Sequence, residues 1–166
     1  MATVTLGGKP CNTNGELPAV GSKAPDFKLT DGDLADHTLE SFSGKKKLIS
    51  IVPSLDTGTC ATSTKKFNEH ANNLNNTVIL VVSGDLPFAQ GRFCGAEKLG
   101  NVIPLSMMRS RNFAKDYGVL LTDGPLAGIT TRAVVALDTD NTVLHTQLVG
   151  EIADEPDYDA ALAALK

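Results

Sequence analysis

The sequence of 166 residues is short of the features that mark several protein classes. No run of about 18 apolar residues occurs, so no membrane-spanning helix is expected. The opening segment, MATVTLGGKPC, has no basic stretch followed by an apolar one; no secretory leader is expected, which favours the cytosol. Positive charge is not in excess. A net charge of −4 argues against nucleic acid or an anionic membrane as main partner. Cysteine is scarce: Cys11, Cys60 and Cys94 are odd in number and form no C-x-x-C pair, unlike a disulfide scaffold or a zinc finger. His37, His70 and His145 are scattered without cysteine or carboxylate at ligand spacing, so no metal is expected. No P-loop is present and no G-x-G-x-x-G follows a strand, so no bound nucleotide or flavin is expected. With no repeat and no low-complexity linker, residues 1–166 read as one domain, long enough for a full core.

What is present centres on Leu48–Cys60, LISIVPSLDTGTC. Its short, continuous apolar start predicts a strand buried on both faces. Pro53 ends that strand because it cannot donate to a sheet ladder. Asp56 and Thr57 are good helix caps, and Cys60, Thr64, Phe67, Ala71 and Leu74 then recur at helical spacing. Cys60 is thereby expected in the first turn of a helix. There the backbone N–H groups lack intrahelical partners and the helix dipole is positive. Both favour a thiolate, and cysteines so placed have pKa values of about 3.5–7.5.

Elsewhere, Thr3–Leu6 and Cys11–Thr13 suggest a hairpin across Gly7-Gly8-Lys9-Pro10. Lys45-Lys46-Lys47 reads as a solvated edge. Thr77–Ser83 is a second buried strand, and strand–helix–strand over this length predicts a right-handed parallel unit. Asp85 is expected to cap a helix with Pro87 in its first turn and Cys94 further on. Val102–Ser106 reads as a strand, Arg109–Tyr117 as a helix, and Ala133–Leu137 and Val143–Val149 as an antiparallel pair. A last helix is expected from Glu155-Pro156. The order predicts an α/β protein of thioredoxin-like kind, a central mixed sheet flanked by helices with an N-terminal β-hairpin.

Pro53-Ser54-Leu55-Asp56-Thr57-Gly58-Thr59-Cys60 has the pattern P-x-x-x-T-x-x-C, which resembles the peroxiredoxins at their peroxidatic cysteine. DLPFAQGRFCGAE at 85–97, GPLAGITTRAVVALD at 124–138 and EPDYDAALAALK at 155–166 extend the likeness over nearly the whole chain, toward the bacterial thiol peroxidase branch of atypical two-cysteine peroxiredoxins. The resemblance implies that Cys60 is peroxidatic and Cys94 resolving. It implies that Thr57 hydrogen-bonds peroxide and thiolate, that Pro53 shields the pocket and that Arg132 is the active-site arginine. It implies thioredoxin as reductant and a homodimer. Cys11 receives no role.

The chemistry stands beside the likeness. Peroxide reduction needs an ionised sulfur and donors aimed at the oxygen that gains charge. Arg132 suits that task because it stays charged and its planar fork reaches two acceptors. Cys60 and Cys94 are too far apart in sequence for one helix turn, so a helical segment has to unwind before a disulfide forms. Phe88, Phe93, Leu120 and Leu126 suggest an apolar pocket for alkyl hydroperoxides. Two other readings remain open: a thiol–disulfide oxidoreductase, against which the missing C-x-x-C argues, and a redox sensor that uses the same disulfide without turnover.

Overall fold

The computed structural model describes residues 1–166. The central unit is β5 (Lys46–Ile51), α1 (Gly58–His70) and β6 (Thr77–Ser83). β5 and β6 are parallel, from Lys46 opposite Thr77 to Ile51 opposite Val82. α2 (Pro87–Ala96) leads to β7 (Ile103–Ser106), again parallel to β6. α3 (Asn112–Asp116) and a long connection follow. β8 (Ala133–Leu137) then returns antiparallel on the free side of β5, and β9 (Val143–Leu148) closes that edge. Two short strands, β3 (Leu29–Thr30) and β4 (Asp36–His37), finish the other edge. The sheet order is β4-β3-β7-β6-β5-β8-β9. α4 (Tyr158–Ala163) ends the chain, and Asp157 caps it by accepting from Ala160 N at 3.0 Å.

Strand alternation explains the two cores. Ile49, Ile51, Leu80 and Val82 face one side, where α3 supplies Phe113, Ala114 and Tyr117. Leu48, Val52, Ile79 and Val81 face the other, where α1 supplies Cys60 and Phe67 and α4 supplies Ala161 and Leu162. With both faces covered, the middle strands read as unbroken apolar runs, and all five residues of β8 are buried.

The hairpin forms with a shorter link than expected. β1 (Thr3–Leu6) pairs with β2 (Lys9–Asn12), not with Cys11–Thr13. Gly7 and Gly8 take φ of 58° and 78°, the left-handed pair that a two-residue turn between twisted strands requires. The helix expected over Arg109–Tyr117 is trimmed to Asn112–Asp116. The chain leaves it through Gly118 at φ 68°, where a β-carbon would collide with the Glu16 backbone.

The lysine cluster is also different. Lys45 is exposed, but Lys47 is 0% exposed. It sits in β5 between β6 and β8, and its ammonium donates to Lys45 O at 2.9 Å and Asn141 Oδ1 at 2.6 Å. Burial holds it below the usual lysine range.

Candidate active site

Sheet register brings the site together. β5 runs toward Ile51, and Ile51 pairs with Ala133 at the start of β8. The carboxyl end of β5 and the residue before β8 therefore meet at one edge of the sheet. α1 starts from that same edge. Arg132, which is 72 positions from Cys60 in the chain, donates from Nη2 to Cys60 Sγ at 3.2 Å.

Around the sulfur, each element has a local cause. Thr130 Oγ1 donates to Val52 O at 2.8 Å and fastens the exit of β5 to the segment that carries Arg132 into β8. Pro53 is buried where the strand stops. A tight turn follows, with Thr57 N donating to Ser54 O at 3.3 Å. Thr57 is then the N-cap of α1, with φ −111° and ψ 149°. Cys60 is the third residue of the helix and 0% exposed. Its carbonyl accepts from Ser63 Oγ at 3.1 Å and Thr64 Oγ1 at 2.8 Å.

Arg132 is 3% exposed, and its three nitrogens differ. Nε donates to Ile152 O at 2.9 Å, which fixes the plane of the guanidinium. Nη2 is on the sulfur. Nη1 is buried with no partner, and so is Thr131 Oγ1 in the neighbouring position. A buried guanidinium donor left open is uncommon and calls for an occupant.

Thr57 is on the rim, and its hydroxyl is turned away from the sulfur. Its hydroxyl donates to Ser54 O at 3.1 Å, so it neither caps α1 nor bonds Cys60. The turn that positions the helix uses the hydroxyl for itself. The first-turn N–H groups consequently receive no side-chain cap and keep their positive end free.

Cys94 is held apart from this group. It is half-buried on α2, and all three cysteines are free thiols. Burial pushes the Cys94 thiol up from its ordinary value. Only Pro87 and Gln90 of α2 are buried, both toward its start. The N-cap of α2 is Leu86 rather than Asp85, because the Asp85 carboxylate is engaged elsewhere. It accepts from Ser54 Oγ at 2.7 Å, Leu55 N at 2.7 Å and Ser83 Oγ at 2.8 Å. Its DLPFAQ context reads locally as a cap, and nothing in the sequence marks Ser54 and Ser83 as its partners.

Of the clefts around the site, two hold residues expected to line an apolar pocket. One, of about 480 Å³, lies between the turn Ser54–Asp56 and α2, against Arg92 and Phe93. The other, of about 200 Å³, is bounded by Leu86, Met107, Leu120 and Ile129 and reaches Thr130. The four residues expected to share one apolar pocket are dispersed: Phe93 borders the first cleft, Leu120 the second, Leu126 packs toward the hairpin and Phe88 is 65% exposed. Phe93 on α2 and Leu120 in the 118–130 connection border separate clefts. No three His, Cys, Asp or Glu side chains are grouped to hold a metal ion, and no helix is long and apolar enough to cross a membrane.

Comparison with known proteins sets this geometry in a family. The Redoxin family model matches residues 19–162. The chain is 55% identical over 165 residues to a thiol peroxidase of Mycobacterium bovis, covering 99% of both. A peroxiredoxin-like protein from Aquifex aeolicus has a similar structure, with a TM-score of 0.93 at 41% identity, over 99% of this chain and 96% of that one. A thiol peroxidase from Chromobacterium violaceum gives 0.89 at 31% identity, over 95% and 91%.

Proposed function

The chain belongs to the Redoxin family, as a peroxiredoxin-type oxidoreductase, and from that membership we propose that it reduces hydrogen peroxide and organic hydroperoxides at Cys60. The observation that carries this reading is Arg132: one nitrogen on the Cys60 sulfur at 3.2 Å, another buried beside it without a partner. An oxygen of the substrate is the acceptor that the open nitrogen lacks.

The Cys60 thiolate attacks the terminal oxygen of the peroxide. The S–O bond forms as the O–O bond breaks. The oxygen that leaves carries the electron pair, takes a proton and departs as water or alcohol. Arg132 and the uncapped N–H groups of the first turn stabilise that charge, and one such donor accounts for about 10²–10³ in rate in comparable sites. Thr57 joins them by turning its hydroxyl from Ser54 O to the substrate. Pro53 keeps water from the sulfur.

Cys60 is then a sulfenic acid. The Cys94 thiolate attacks that sulfur, the S–S bond forms and hydroxide leaves. This step requires both helices to open locally, since the thiol of Cys94 is half-buried and the sulfur of Cys60 is enclosed. A thioredoxin dithiol returns the disulfide to two thiols and is itself oxidised; no bound cofactor takes part. Leu86, Phe88 and Met108 are exposed and provide the apolar surface on which a second copy packs to form a homodimer.

Coupled consumption of NADPH through thioredoxin reductase and thioredoxin tests this reading, with hydrogen peroxide compared against a bulky organic hydroperoxide. Many turnovers per protein are expected with both. A single oxidation per protein with no continuing NADPH loss would point instead to a sensor that stores the disulfide.

A further inference from the structure

The reaction above demands opposite states of the same segments. Peroxide must meet a Cys60 turn held in place, and the disulfide must form from segments that have let go. A side chain that joins the two segments decides how they are balanced.

We infer that Asp85 is this positioning residue: one carboxylate that latches the turn before Cys60 to the anchor of the helix that carries Cys94. The inference deepens the peroxidase reading and rests on it. Oδ1 accepts from Ser54 Oγ at 2.7 Å, and Oδ2 accepts from Leu55 N at 2.7 Å. Both donors belong to the turn between Pro53 and Thr57. Ser54 is itself the acceptor for the Thr57 hydroxyl and, through its own hydroxyl, for Asp56 N at 3.1 Å. The geometry that starts α1 is thus built on residues that Asp85 grips.

On the other side, Oδ2 also accepts from Ser83 Oγ at 2.8 Å. That hydroxyl oxygen accepts from Gln90 Nε2 at 3.0 Å, and Gln90 is the one buried polar side chain of α2. The same Nε2 donates to Leu105 O at 3.0 Å. Cys94 follows Gln90 by one helical turn. A further bond, from Ser106 Oγ to the Asp85 carbonyl at 2.5 Å, fixes the Asp85 backbone against β7. The polar chain Thr57–Ser54–Asp85–Ser83–Gln90 is therefore continuous from one cysteine's helix to the other's.

Bonds to an ionised acceptor are about twice as strong as neutral ones. Three of them on one carboxylate make the closed arrangement the favoured one. Loss of the turn on one side removes two of the three, which loosens the hold on Ser83 and Gln90. Opening at Cys60 then favours opening at Cys94, and the equilibrium shifts as a unit.

Asp85→Asn keeps size and removes charge; Ser54→Ala removes one of the two bonds to the turn and leaves Leu55 N. Timed acid quench, maleimide trapping and mass spectrometry separate sulfenic acid formation from disulfide closure at each time point. In Asp85→Asn, sulfenic acid formation is expected to slow roughly 10-fold, and closure to quicken several-fold. Ser54→Ala is expected to move both rates the same way by less. Amide hydrogen exchange on the reduced protein adds a readout that requires no peroxide. Exchange in the first turn of α1 and at residues 90–95 should rise together in Asp85→Asn.

Rates that both fall, or neither of which moves, overturn the latch, as does exchange that rises in one helix alone. If Asp85→Asn does not fold, Ser54→Ala decides the matter by the same signs. A wild-type protein that forms no sulfenic acid at Cys60 overturns the peroxidase reading instead, which keeps the two failures distinct.

Discussion

The two cysteine-bearing helices have opposite constructions. α1 is bound into the protein along its length. Cys60, Ser63, Thr64 and Phe67 are buried, Phe67 packs edge-on against Tyr158 at 5.0 Å, and an arginine grips the sulfur. α2 is held at its start by Pro87 and Gln90, while Gly91, Arg92, Gly95 and Ala96 are in solvent. Its far end is tied to α1 by the Lys65–Glu97 pair at 2.9 Å, an exposed ion pair of a kind that contributes about 0–1 kcal/mol. The contrast suits the proposed division of labour between Cys60 and Cys94. A nucleophile gains from being fixed, and a partner that has to travel gains from being loosely held.

The sharpest way to break the comparison is to remove each sulfur. Cys60→Ser is expected to abolish peroxide consumption from the first turnover, measured by a quenched single-turnover assay. Cys94→Ser is expected to complete that first turnover and then stop, with over-oxidised Cys60 accumulating in mass spectra. Equal steady-state rates for Cys94→Ser and wild type would remove Cys94 from the cycle.

Next in size is Arg132→Ala. Loss of one charge-stabilising donor should lower kcat/KM about 10²–10³-fold. Arg132→Lys should recover little, because an ammonium cannot serve Ile152 O and the sulfur with the same planar geometry. Packing gives the next contrast. Phe67→Ala should lower stability by about 3–5 kcal/mol in urea melts, whereas Phe93→Ala, half-buried on α2, should cost clearly less.

Smaller effects test the looseness of α2. A β-carbon at Gly91 meets nothing within 4 Å. Gly91→Ala should firm the helix by about 0.5–1 kcal/mol and slow disulfide closure by about 2–5-fold. Finally, pH acts on Cys94. Burial raises its thiol above the ordinary 9.0, so the stability it lends to the closed helix is complete below 9.0 and is lost as pH rises from there through the folded value. Maleimide capture at Cys94 should therefore climb above pH 9 faster than for the same thiol in an unfolded peptide, and a parallel rise would deny the coupling.

Much of this was legible in the residues, and the limits have a physical origin. Thr77–Ser83 and Ala133–Leu137 are strands with the expected bounds, because a strand covered on both faces announces itself as an apolar run. Cys60 in a first helical turn follows from strand, proline and cap alone. Asp85 is different. Near Pro87 it has the look of a cap, and only the parallel pairing of β5 with β6 brings Ser54 and Leu55 within its reach. Lys47 likewise reads as surface within its triplet, yet an inner strand encloses it. The Thr57 hydroxyl turns on a rotamer, which no pattern of residue types specifies. Local pattern carries what local forces decide, and contacts between distant strands lie outside it.

The antiparallel return of β8 has a consequence for synthesis. Cys60 emerges from the ribosome long before Arg132, which is 72 positions later, and nothing earlier in the chain takes the arginine's place on the sulfur. A nascent chain that stops short of β8 carries the thiol without its cation. On the proposed mechanism, the added reactivity toward peroxide that the arginine confers is in this way withheld until nearly the whole polypeptide has been made and has docked its last central strand.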